Sequence, residues 1–193
     1  MYKLCKTEQS ANRQKALEIG LLAAMSSRHY EEISVSDLCD QLEIPRKSFY
    51  RYFSSKDGAL QALLDHTLME YETYPLITAP GEARTVQKEL ERFFHFWIHH
   101  KPLLDALQRS NLSGLLIERA IFYAVNGVFM PRRFLAQDTQ EVQEHVTAFT
   151  VCGLMAMVLN WHHSGYLQPV ATMGKLAARL VSQPLFPNVR ELL

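Results

Sequence analysis

The sequence predicts an all-α chain. Apolar residues recur at helical spacing along almost its whole length, and the alternation that marks strands is nearly absent. Serine caps, prolines and glycines cut that pattern into separate helices. With 193 residues, 48% of them apolar, the chain can build one large helical domain or a small domain joined to a larger one.

The first helix is expected over residues 10–28, with Leu17, Leu21, Ala24 and Met25 on one face and His29-Tyr30-Glu31-Glu32 closing it. Ser34, with Asp37 three residues on, opens a short second helix in the manner of a capping box. Val35, Leu38 and Leu42 give that helix an apolar face, and a tight turn follows at Glu43-Ile44. Pro45 suits the entrance of a third short helix, where its fixed φ helps and its missing N–H costs little. Ser54 or Ser55 can cap a fourth helix over residues 56–73.

Tyr74-Pro75 and Ala79-Pro80-Gly81 are the clearest punctuation, so the domains are expected at 1–73 and 74–193. Beyond the boundary a helix carries Val86, Leu90, Phe93, Phe94, Trp97 and Ile98 on one face, and Lys101-Pro102 breaks it. Further helices are expected over 103–109, over 112–130 ended by Pro131, over 139–164 stopped by Gly165, and over 170–182 stopped by Pro184.

Composition narrows the class. Lysine plus arginine equal aspartate plus glutamate at 20 each, so any basic footprint for nucleic acid must be local. Three scattered cysteines, Cys5, Cys39 and Cys152, suit reduced thiols in a cytoplasmic chain. Lys3 and Lys6 have no long apolar run behind them, so no signal peptide is expected. The most apolar stretch, 146–161, falls short of the roughly 20 residues of a membrane span and reads as a buried helix.

The second and third helices with their tight turn have the form of a helix-turn-helix. Such a unit presents the first residues of its second helix to base edges, while flanking groups hold phosphates. Arg46 and Lys47 can donate to guanine, and Ser48 to a base or a phosphate. Phe49 and Phe53, four apart, share a face that can anchor the helix, leaving the Tyr50 hydroxyl for a phosphate. Residues 44–56 hold four basic side chains (Arg46, Lys47, Arg51, Lys56) and no acidic one. A solvated basic face is the plainer reading of such a run; the capped neighbouring helix and the aromatic anchors favour DNA.

The run from Ser34 through Ser36 to Cys39, then Ile44-Pro45-Arg46-Lys47-Ser48-Phe49-Tyr50-Arg51-Tyr52-Phe53 and Ser55-Lys56-Asp57, resembles the signature of the TetR family. Asn160-Trp161-His162-His163-Ser164-Gly165 is similar to the end of that family's eighth helix. His29 and Glu43 stand where the family usually has glycine, and Lys47 where a small residue is usual. His29 is expected to take the left-handed conformation in glycine's place. The resemblance implies an N-terminal three-helix DNA-binding domain, a linking fourth helix and a C-terminal helical domain for ligand and dimerisation. By the same likeness Ser34, Ser36, Tyr50 and Lys56 would contact the DNA, with Lys56 on a phosphate at the start of the fourth helix.

Pockets are lined mainly by apolar and aromatic groups with a few polar ones. Phe94, Trp97, Phe122, Tyr123, Asn126 and Cys152 are therefore the candidate ligand residues, for an effector that is largely apolar or aromatic. Most of these aromatics would equally serve an ordinary core. Gly153 and Ala156, with Met173, Ala177, Leu180 and Val181 on the last helix, are the candidates for a homodimer interface, which the resemblance places on these two helices. The fourth helix and the Tyr74-Pro75 link are expected to be the only continuous connection between reader and pocket.

His95, His99 and His100 have no helically spaced carboxylate or cysteine to complete a metal site, and neither a cofactor motif nor a catalytic constellation is present in the sequence. The sequence thus favours a repressor that binds palindromic operator DNA as a dimer and is released by a small molecule. The alternative is a regulator of the same fold that acts through a protein partner.

Overall fold

The structure is a computed structural model and describes residues 2–76, 83–127 and 139–182. Its elements are α1 (Glu8–Met25), a 3-10 turn (Tyr30–Glu32), α2 (Val35–Gln41), α3 (Arg46–Tyr50), α4 (Lys56–Thr73), α5 (Val86–His99), α6 (Lys101–Arg109), α7 (Ser113–Val125), α8 (Gln140–His163) and α9 (Val170–Ser182). Among the described residues, extended pairing is limited to an isolated bridge between Tyr2 and Phe53.

Caps set the helix ends. Thr7 Oγ1 accepts from Ser10 N at 3.3 Å, which starts α1 ahead of the expected residue 10. Ser34 and Asp37 form the reciprocal capping box: Ser34 Oγ accepts from Asp37 N at 3.1 Å, and Asp37 Oδ2 accepts from Ser34 N at 2.8 Å. Ser55 Oγ accepts from Gly58 N at 3.1 Å, so Ser55 caps α4. Pro102 falls inside the first turn of α6, where its missing N–H removes no intrahelical bond. α7 stops at Val125, short of the expected residue 130, followed by Gly127 at φ +94°. Ala79, Pro80, Gly81, Phe129, Met130, Pro131 and Pro184, which carried other expectations, lie outside the described residues.

The chain divides into two compact units: Met1–Glu70 with Pro102–Arg119, and Tyr71–Lys101 with Ala120–Leu193. α4, α6 and α7 each contribute residues to both, α6 through Lys101. The expectation that α4 is the only continuous connection is therefore corrected, because the chain also passes between the units within α6 and α7.

The first unit buries Leu21, Met25, Leu38, Phe49, Phe53 and Leu64. Polar groups are buried with them. Asp65 accepts two bonds from Arg119, at 2.6 and 2.8 Å, and one from Tyr2 Oη at 3.0 Å. Glu18, also buried, meets His66 Nδ1 at 2.9 Å.

In the second unit α5 packs against α8 and α9. Phe94 meets Trp161 edge-on at 5.5 Å. Gly174 lets α9 lie close on α5: a Cβ there would stand 2.5 Å from Glu91 Cγ. α8 has 24 residues and is long and apolar enough to cross a membrane, yet only 22% of its apolar window is buried within the chain. The helix expected over 139–164 is thus present, whereas the apolar stretch 146–161, read as buried, is largely exposed within the chain. Val142, Val146 and Phe149, the last 68% exposed, leave one face of α8 open.

Candidate nucleic-acid interface

α2 and α3 are held at a fixed angle by the turn between them. Leu42 N donates to Leu38 O at 3.0 Å and Ile44 N to Cys39 O at 2.9 Å. Glu43 between them has φ +52°. Glu43 thus adopts the left-handed conformation for which glycine is the default, at a cost of about 1 kcal/mol or more. His29 behaves differently. Its backbone is extended (φ −65°, ψ 143°), which corrects the left-handed expectation, and its N–H donates to Glu32 Oε2 at 3.2 Å.

Behind the turn stands Gly20 of α1, where a Cβ would lie 2.7 Å from Leu42 Cδ1. Glycine costs about 1 kcal/mol relative to alanine inside a helix. A mid-helix glycine was therefore the available signal for this close approach, and the sequence reading passed over it.

Phe49 and Phe53 are each 1% exposed with ring centroids 5.2 Å apart, and they anchor α3 through one face. Arg46, at the first position of α3, is exposed, as are Lys47 and Arg51, which lie away from the anchored face; Ser48 is half-buried. Tyr50 is 51% exposed, which removes it from the core and leaves its hydroxyl accessible. Ser34 is exposed at the α2 N-cap, and Ser36 is half-buried one turn in. The Ser34 N–H holds the Asp37 carboxyl below its ordinary range, with Arg28 3.7 Å away.

Lys56, the expected phosphate contact, is engaged within its own chain. It is half-buried, its Nζ donates to Tyr30 O at 2.6 Å, and it lies 4.0 Å over the Tyr30 ring. Burial lowers its pKa from the ordinary lysine value. Tyr30 in turn donates its hydroxyl to Asp57 at 2.7 Å and its N–H to Ser110 Oγ at 3.0 Å. Burial, reinforced by Asp57, holds this phenol above its usual range. Tyr30 therefore ties the start of α4 to the 3-10 turn and to the end of α6, a role the sequence alone did not mark.

In the second unit, Phe94 and Trp97 are fully buried and both pack on Phe93, at 5.6 and 6.3 Å. Phe122 is 51% exposed and meets Tyr123 edge-on at 5.5 Å. Asn126 Nδ2 donates to Phe122 O at 2.7 Å, and Cys152 is exposed on α8. Gly153 and Ala156 are exposed. Met173 and Ala177 are buried on α9, the helix that packs on α5 of the same chain, whereas Leu180 and Val181 stay 40% and 45% exposed. Met173 and Ala177 thus belong to the internal core, because the face of α9 that meets α5 is the one carrying them and Gly174.

Residues 22–63, which span the helix-turn-helix, match the model of the family described as bacterial regulatory proteins, tetR family. The chain is also 29% identical over 107 residues to the HTH-type transcriptional regulator EthR of Mycobacterium tuberculosis. Over residues 22–63 the chain is thus similar to the TetR family. The EthR match covers 51% of this chain and 50% of EthR, so the chain spans about half the length of the curated relatives it matches. EthR of Mycobacterium bovis matches to the same extent.

Solved structures agree on the TetR-like fold. The dihydroxyacetone kinase operon activator DhaS superposes with a TM-score of 0.57 at 16% identity, covering 88% of this chain and 93% of its own. The fatty acid degradation regulator FadR from Bacillus halodurans gives 0.55 at 14% identity, covering 94% and 98%. A tetR-family regulator from Streptomyces coelicolor gives 0.50 at 22% identity, covering 88% and 78%. The matched segment carries the helix-turn-helix of α2 and α3.

Proposed function

We propose that the chain is a homodimeric, ligand-responsive transcription regulator that reads palindromic operator DNA, most simply as a repressor released by a small molecule. The observation that carries this reading is the exposed face of α3. Arg46, Lys47 and Arg51 are exposed on a short helix anchored by Phe49 and Phe53, with no acidic residue from 44 to 56. A second copy covers the open face of α8, where Val142, Val146, Phe149, Gly153 and Ala156 recur at helical spacing, together with Leu180 and Val181. A twofold pair would set two recognition helices about 34–36 Å apart, one turn of DNA.

The ligand reading draws support from Trp97. Its Nε1 is buried and has no hydrogen-bond partner among the described residues. An unmet buried donor costs about 1–3 kcal/mol. An effector with an apolar ring and one acceptor atom would satisfy it among Phe93, Phe94 and Phe96. DhaS, of the same fold, is named an operon activator, so the direction of control is left to experiment.

The test is binding to duplexes tiled across the DNA upstream of the chain's own coding sequence. A specific duplex should bind well below the roughly 10⁻⁴–10⁻⁶ M of non-specific association, and Arg46→Ala should weaken it by about 1–3 kcal/mol. Equal affinity for all tiles, unchanged by Arg46→Ala, would overturn the operator reading.

A further inference from the structure

The matched segment begins at residue 22, so it leaves out most of α1 and the arm before it. Two basic residues there have an unusual setting. Arg13 is exposed and has no hydrogen bond or ion pair among the described residues. Its α1 neighbour Lys15 is paired with Glu70 at 2.7 Å. Arg13 lines a groove of about 340 Å³ together with Leu17 of α1, Leu42 and Ile44 of the turn, and Ser48 and Arg51 of α3. No acidic residue lines this groove.

Tyr52 borders the same groove and leads to the arm. Lys3 N donates to Tyr52 O at 3.0 Å, and Tyr2 pairs with Phe53. The Tyr2 hydroxyl points inward to Asp65. Alternation along an extended segment then turns Lys3 outward, and Lys3 is exposed.

We propose that the groove seats the sugar–phosphate backbone of the duplex read by α3, with Arg13 and Lys3 as phosphate contacts beyond the helix-turn-helix. The inference rests on the DNA-binding reading above. A helix lying in the major groove, about 12 Å wide, has phosphate strands on both sides. Side chains beside it therefore meet backbone rather than base edges. Arg13 and Arg51 bring two guanidinium groups to one groove with no carboxylate to neutralise them, and a planar guanidinium matches phosphate geometry. The apolar floor from Leu17, Leu42 and Ile44 suits the carbon faces of deoxyribose. Arg13 also supplies the free charge that Lys56, turned inward on Tyr30, does not.

The experiment titrates the full chain with a labelled random-sequence duplex of about 30 base pairs, between about 50 and 200 mM salt. Each phosphate contact contributes about 0.9 to the slope of log K against log salt. Arg13→Ala should therefore flatten the slope by about 0.9, and Arg13→Ala with Lys3→Ala by about 1.8. Arg13→Lys, which keeps the charge, should restore most of the slope, and circular dichroism should show all variants folded. If the unaltered chain fails to bind any duplex, the DNA reading itself falls. If it binds and Arg13→Ala keeps the full slope, this inference alone is overturned. Polyglutamate competing through Arg13 as well as the duplex does would also overturn it, in favour of an acidic protein segment.

Discussion

Removing Arg119 should destabilise the first unit far more than removing both Arg119 and Asp65. The Asp65 carboxylate is 2% exposed and Arg119 16% exposed, with two bonds at 2.6 and 2.8 Å. Arg119→Met removes both guanidinium bonds from that carboxylate and leaves it the Tyr2 hydroxyl at 3.0 Å, with His66 nearby. Breaking a buried pair from one side costs about 3–5 kcal/mol. The expected loss is therefore about 3–5 kcal/mol. Asp65→Leu with Arg119→Met removes both charges and should return to within about 1 kcal/mol of the parent. Urea unfolding at one fixed protein concentration measures all the variants of the cycle, since assembly also shifts apparent stability. A single variant within about 1 kcal/mol of the parent, or a double variant as unstable as the sum, would refute the argument.

Three other perturbations have signs fixed by the structure. Bonding to Glu18 raises the His66 pKa above its usual value near 6.5, with Asp65 adding to the rise and Lys15 and burial opposing it. The pair's stabilisation is then fully present below pH about 6.5 and is lost as pH rises through the folded value; denaturant midpoints across that range should fall, and His66→Gln should flatten the fall. Gly174→Ala puts a methyl 2.5 Å from Glu91 Cγ and 3.1 Å from Glu91 N, so thermal unfolding should reveal a loss of about 1–3 kcal/mol. At Gly153 a Cβ meets nothing within 4 Å, so Gly153→Trp should leave the protomer folded while sedimentation detects a monomer; a variant that stays dimeric would remove that face from the interface.

The sequence was most legible where one local signal decides the outcome. Capping by Ser55 made α4 readable to the residue, and the Ser34–Asp37 box made the start of α2 equally plain. Glu43 was marked only by the resemblance, as standing where glycine is usual, and it takes the positive φ that favours glycine. His29 was misjudged because the 3-10 turn that follows takes an extended entry instead. Partners far apart in sequence left no such trace. Asp65 and Arg119 are separated by 54 positions, and Tyr30 and Ser110 by 80. Periodicity also could not say which apolar face of α9 its own chain would claim. Gly174 carried that information, as the residue whose missing side chain admits α5.

Under the proposed ligand response, magnitudes decide where the chain can give. A bound ligand supplies about 1–3 kcal/mol of coupling. That is less than the cost of parting Arg119 from Asp65, so α4 and α7 must move together at that point rather than slide past one another. At the far end of α4, Arg92 lies 4.2 Å over the Tyr71 ring and donates to Tyr71 O at 3.1 Å and Tyr74 O at 2.8 Å. The start of α4 is held more lightly, by the Tyr30 hydroxyl on exposed Asp57 and by Lys56 on the Tyr30 carbonyl. A hydrogen bond to a charged group contributes about 1.5–3 kcal/mol net, within reach of the coupling. Tyr30→Phe should then lower stability by no more than about 3 kcal/mol, yet shift duplex affinity several-fold without any ligand. Arg119→Met, measured in the folded fraction, should leave that affinity closer to the parent. If Tyr30→Phe changed stability but left duplex affinity untouched, the first turn of α4 would not be the compliant end.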